Sequence, residues 1–104
     1  MITLPYEIGV RDFYESKKFL RVFIKSYGGG YALYAQRMLR DFEGKERTSG
    51  LEFKIEGSEF NRLFEYRMPT VDVSWKDGGF LITFDIYHGD MDWRTGCMKV
   101  KMSP

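Results

Sequence analysis

The stretch Phe19-Leu20-Arg21-Val22-Phe23-Ile24-Lys25-Ser26-Tyr27 sorts its side chains by parity. Strand side chains alternate with period two, so Leu20, Val22 and Ile24 fall on one face and Phe19, Arg21, Phe23, Lys25 and Tyr27 on the other. The first set reads as a core face. The second interleaves rings with cations, the pattern of a surface that stacks bases while its charges follow phosphates.

On the C-terminal side, Gly28-Gly29-Gly30 ends this strand, and glycines between two aromatic-rich runs predict a hairpin. Residues 31–40 carry several good helix formers. Yet Tyr31, Leu33, Ala35 and Arg37 alternate with Ala32, Tyr34, Gln36 and Met38, and the glycines supply no helix cap, so a strand is expected. On the N-terminal side, Ile2, Leu4, Tyr6, Ile8 and Val10 alternate with polar or small residues, which makes residues 2–14 extended. Pro5, lacking an amide donor, suits the start or edge of a strand. The run Glu15-Ser16-Lys17-Lys18 reads as a turn, residues 43–50 as a polar loop, and Leu51-Glu52-Phe53-Lys54-Ile55 as an alternating strand.

One helix is predicted next. Ser58 suits an N-cap, Glu59 suits the first turn, and Phe60, Leu63 and Phe64 stand at i, i+3 and i+4. Pro69 ends it at or before Met68. Val71, Val73 and Trp75 then alternate, Asp77-Gly78-Gly79 turns the chain, and residues 80–86 pair back. Residues 88–96 read as a polar loop before a last short strand holding Met98, Val100 and Met102. The expected fold is α+β: a twisted antiparallel sheet of about six to seven strands with one short helix after the fourth. It forms a single domain over 1–104, with a β-β-β-β-α core at 6–68 and an additional hairpin and terminal strand at 70–102. A short helix cannot shield a whole sheet face, so a homodimer is expected, with Phe60, Leu63, Phe64 and Trp75 in core or dimer packing.

With 104 residues the interior is thin, and nine Phe with seven Tyr favour strands. Sixteen basic against fifteen acidic side chains leave a formal charge of +1, so any electrostatic footprint must come from segregation of charge. The lone Cys97 excludes an intrachain disulfide and a cysteine-rich metal site, and fits a reducing compartment. No apolar run reaches the length of a signal peptide or membrane span, so the expected location is cytoplasmic, in the host cytoplasm if the chain is viral.

The segment His88-Gly89-Asp90-Met91-Asp92 is the one constellation that hints at catalysis, since imidazole with two carboxylates can hold a divalent ion. Clustered Gly and Asp mark a turn instead, where Asp bonds its own backbone. No nucleophile–base motif is present, and the triple glycine does not open a helix as a phosphate loop does. The expectation is a non-enzymatic protein without metal or cofactor.

The segments Tyr6-Glu7-Ile8-Gly9, Val10-Arg11-Asp12-Phe13, Phe19 to Lys25, and Gly50-Leu51-Glu52-Phe53-Lys54-Ile55 running into Ser58-Glu59-Phe60-Asn61-Arg62-Leu63 carry a resemblance. Over about residues 6–68 the chain resembles the single-stranded-nucleic-acid fold shared by positive cofactor four, the Whirly proteins and the PUR repeats. That resemblance implies a homodimer whose helices pack together while two curved sheets form a basic, aromatic channel for unpaired strands. Phage-encoded and bacterial relatives of this type are associated with replication, recombination or transcription. The short helix, the hairpin at 70–87 and the low net charge depart from the family pattern.

The expected function is therefore sequence-tolerant binding of single-stranded DNA, by stacking on sheet aromatics and Lys/Arg contacts to phosphates. Candidate contacts are Arg11, Phe13, Lys17, Lys18, Arg21, Phe23, Lys25, Tyr27, Arg37, Arg40, Lys45 and Arg47. The sequence leaves RNA open as well, because discrimination turns on the 2′-hydroxyl. The alternative is a protein-binding module or inhibitor using an aromatic sheet surface, which near-neutral charge and scattered Arg favour.

Overall fold

Two tight turns set the pairing. Gly28 takes a φ of 59° between the Cα partners Tyr27 and Gly30. Asp77 and Gly78, at φ 50° and 77°, do the same between Lys76 and Gly79. An Asp-Gly pair with both residues left-handed is a type I′ turn, whose twist matches the strands it joins.

A computed structural model describes the backbone of residues 3–13, 17–63, 67–89 and 91–101, and the side chains of all of these except 10–13. The strands are β1 (Tyr6–Phe13), β2 (Lys18–Tyr27), β3 (Gly30–Arg40), β4 (Glu46–Thr48), β5 (Phe53–Lys54), β6 (Thr70–Lys76), β7 (Gly79–Gly89) and β8 (Asp92–Lys101). They form two antiparallel sheets. The first has five strands in the order β1-β2-β3-β4, with β5 also pairing β3; the second has three, β6-β7-β8. Pro5 directly precedes the edge strand β1, where its missing amide costs no ladder bond.

The sheets bury one face each against the other. Leu20, Val22, Ile24, Leu33, Ala35, Ile55 and Phe60 from the first meet Val73, Phe80, Ile82, Phe84, Ile86 and Val100 from the second. The alternation of β2 thus points its aliphatic set inward, and the aliphatic set of β3 pairs with it: Val22 opposes Ala35 and Ile24 opposes Leu33. Trp75 packs against this core, edge-on to Phe80 at 5.1 Å between centroids.

The α+β expectation is corrected to all-β. Among the described residues there is no helix, and the segment after β5 spends its hydrogen bonds differently. Ser58 is fully buried; its hydroxyl donates to the Ile55 carbonyl at 2.5 Å and accepts the Leu33 amide at 3.1 Å. Tyr31 and Phe60 exchange both backbone bonds, at 2.8 and 2.9 Å. Backbone groups committed sideways to β3 cannot close i to i+4 turns. Phe60 and Leu63 still reach the core from this extended path, and Phe64 lies outside the described residues.

Two further readings change. The polar loop at 43–50 contains the short strand β4, and most of the loop expected at 88–96 is strand, the ends of β7 and β8 meeting across a hairpin. A second sheet, rather than a helix, covers the core face of the first.

Candidate binding face

The outer face of the first sheet is where the odd positions of β2 emerge. Register places Phe23 beside Tyr34, Arg21 beside Gln36, and Lys54 of β5 beside Tyr34 on its other side. Arg21, Phe23, Lys25 and Tyr34 are half-buried and Tyr27 is exposed. Phe19 and Met38, also of this parity, are buried, with the Arg40 guanidinium 5.4 Å over the Phe19 ring. Phe19 therefore offers no stacking surface.

Phe23, Tyr34 and Tyr27 each carry a cation. Arg21 lies 5.3 Å over Phe23, Lys25 5.0 Å over Tyr34, and Lys54 5.0 Å over Tyr27. Each of these cations also holds a carboxylate. Arg21 pairs with Glu7, Lys25 with Glu52 at 2.5 Å, Lys54 with Glu59 at 3.1 Å, and Arg40 with Glu46 at 2.8 Å. The Glu7 hydrogen bond raises the Arg21 guanidinium above its ordinary value against the opposing pull of burial. Hydrogen bonds from its own backbone and from Lys54 hold the Glu59 carboxyl below the usual carboxylate range. Rings, cations and acids thus form a charge-balanced mosaic.

The remaining candidates scatter. Arg37 has the opposite parity, lies 5.5 Å over Phe53, and donates to the Lys101 carbonyl at 3.1 Å, bridging the two sheets. Lys17 sits 4.9 Å over the exposed Phe42 at one end of the sheet, beside the half-buried Lys18. Lys45 stands 4.0 Å from Glu43 in the turn before β4, and Arg47 is exposed in β4 opposite Leu39. Arg11 and Phe13 lie in β1 opposite Leu20 and Lys18, and their side chains are outside the described set. The structure brings together Arg21, Phe23, Lys25, Tyr27 and Arg40, and adds Tyr34, Lys54 and four glutamates that the sequence reading left out. Charge alternation across neighbouring strands was the missed signal, because it appears only once register is known.

No group of three or more His, Cys, Asp or Glu able to hold a metal occurs among the described residues; Asp90 lies outside them. At the β7–β8 end, Tyr87 and Trp93 pack at 5.0 Å with Arg67 at 4.3 Å over Tyr87. Reading this end as loop concealed the pairing. Among the described residues no helix is long and apolar enough to cross a membrane. Set against protein-family models, curated proteins and solved structures, the chain gives no match.

Proposed function

We propose that this protein is a non-enzymatic binding module that engages a protein partner through the outer face of its first sheet. The carrying observation is the mosaic itself: Arg21, Lys25, Arg40 and Lys54 are each matched by a glutamate. A phosphate drawn to one of these cations meets a carboxylate beside it, so the favourable release of counterions that drives strand binding is offset by like-charge repulsion. A protein partner presents both signs. Aromatic rings with Arg at the centre of a surface are the composition of such interfaces.

Single-stranded DNA is the second reading, favoured by the regular alternation of Phe23, Tyr34 and Tyr27 with cations. One pair of experiments separates the two. A Phe23→Ala/Tyr34→Ala variant should lose a partner that native protein captures from lysate after nuclease treatment. Labelled oligothymidine should bind native protein weakly, with a shallow salt slope. Tight oligothymidine binding that weakens steeply with salt and vanishes in the variant would replace the protein reading with the nucleic-acid one.

A further inference from the structure

A different surface, which shares only Glu52 and Lys54 with the outer face of the first sheet, lies between the sheets at one flank. A groove of about 470 Å³ runs between β5 and the C-terminal half of β8, with Leu51, Phe53, Met98 and Val100 among its lining residues. We propose that this groove takes an extended, acidic peptide segment as an added strand on β8.

The backbone supplies the first argument. The type I′ loop at Asp77-Gly78 makes Lys76 and Gly79 a hydrogen-bonded pair, so alternate residues of β7 from Gly79 onward direct their amides to β6. Phe80, Ile82 and Phe84 then direct theirs to Val100, Met98 and Gly96 of β8. The intervening Thr95, Cys97, Lys99 and Lys101 face away from β7, and among the described residues no strand lies beyond them, since β8 ends its sheet. Arg37 shows the same phase, because the Lys101 carbonyl it reaches points out of the sheet. Arg37 holds the Lys101 carbonyl, and among the described residues the remaining outward donors and acceptors, from Thr95 to Lys99, are unpaired; such a row is a template for another strand.

Side chains select the occupant. Glu52 and Lys54 at the groove are tied to Lys25 and Glu59. That leaves Arg37, Lys99 and Lys101 against Glu56, and among the described residues neither lysine has an ion-pair partner. A second copy of β8 would bring like charges together, and a nucleic acid cannot extend a ladder. A peptide alternating apolar and acidic residues meets Met98 and Val100 with one set and Lys99 and Lys101 with the other, because β8 alternates in the same way.

Fluorescence anisotropy with a short labelled peptide alternating valine and glutamate tests this, with a valine–lysine peptide and oligothymidine as comparison probes. The acidic peptide should bind saturably, and Lys99→Glu/Lys101→Glu should weaken it by about tenfold or more. Cys97→Pro removes an outward amide without touching the β7 ladder, and should weaken it comparably. Phe23→Ala, whose ring carries Arg21 and touches no groove cation, should leave it unchanged, which separates this site from the outer face. Absence of saturable binding, equal binding of the basic peptide or of oligothymidine, or an unaffected Cys97→Pro variant overturns the proposal. Should that variant not fold, hydrogen exchange on native protein decides: slowed Thr95, Cys97 and Lys99 amides with peptide support it, and unchanged exchange rejects it.

Discussion

Gly96 lies against the ring of Phe84, its partner across β7 and β8, and a Cβ there would sit 2.3 Å from Cζ of that ring. Phe84 is buried in the core and cannot swing away. Gly96→Ala should therefore destabilise the fold by about 1–3 kcal/mol, as overpacking does. Gly29→Ala, with open space around the site, should change stability by less than about 0.5 kcal/mol. Denaturant unfolding of the two variants measures both. Ser58 offers a sharper test. Aspartate caps helices as well as serine does, so Ser58→Asp would be harmless at an N-cap. Here it would place a charge among the Leu33 amide and the Ile55 carbonyl in a fully buried site, and unfolding should show a loss of several kcal/mol. The sequence reading at Ser58 failed for a plain reason: a buried hydroxyl satisfying a neighbouring strand and one starting a helix look alike in one dimension.

At the scale of elements, β2, β3 and the β6–β7 hairpin were legible because alternation and turn chemistry agree there. Asp77-Gly78 fits only a narrow class of turn, and the parity of Leu20, Val22 and Ile24 puts all three on the face that meets the second sheet. The segment at 58–63 was not legible, since the spacing of Phe60 and Leu63 serves an extended crossing as well as a helix. The end of β7 and start of β8 were misread because Gly89, Asp92 and Thr95 are as common in loops as at the ends of strands. One prediction belongs to the junction of β5 with the segment after it. The Glu59 carboxyl is held below its ordinary value by its own backbone and by Lys54. A depressed folded value contributes stability above the unfolded pKa, and that contribution is lost as pH falls through the folded one. Glu59→Gln should accordingly leave unfolding unchanged near neutrality in its slope with pH and flatten the acid limb below the normal carboxylate range. Denaturant melts from neutral to acid pH read this directly.

For the whole molecule, the outcome turns on what covers the core face of the first sheet. A short helix leaves it bare and calls for a second copy, whereas β6, β7 and β8 supply Val73, Phe80, Ile82, Phe84, Ile86 and Val100 from within the chain. The physical reason for expecting a dimer is thereby met internally, and sedimentation equilibrium at micromolar concentration should return the mass of one chain. A concentration-dependent dimer would mean that the outer mosaic recognises itself. The candidate face was half legible from sequence: the rings and cations of β2 were visible, but Glu7, Glu46, Glu52 and Glu59 come from four other segments. Their arrival changes the chemistry from an anion-seeking stripe to a neutral one.

Arg37 is the cross-sheet clasp at the groove flank, and what it grips is a main-chain oxygen, so no exchange of the Lys101 side chain can release it. Removing the guanidinium with Arg37→Ala leaves that margin of the sandwich without its staple while β1 still lies against β6 on the opposite side. The shared core still holds the layers together, so the loss of one exposed hydrogen bond would fray only this seam, and the first solvent to enter would wet Phe53 and Val100.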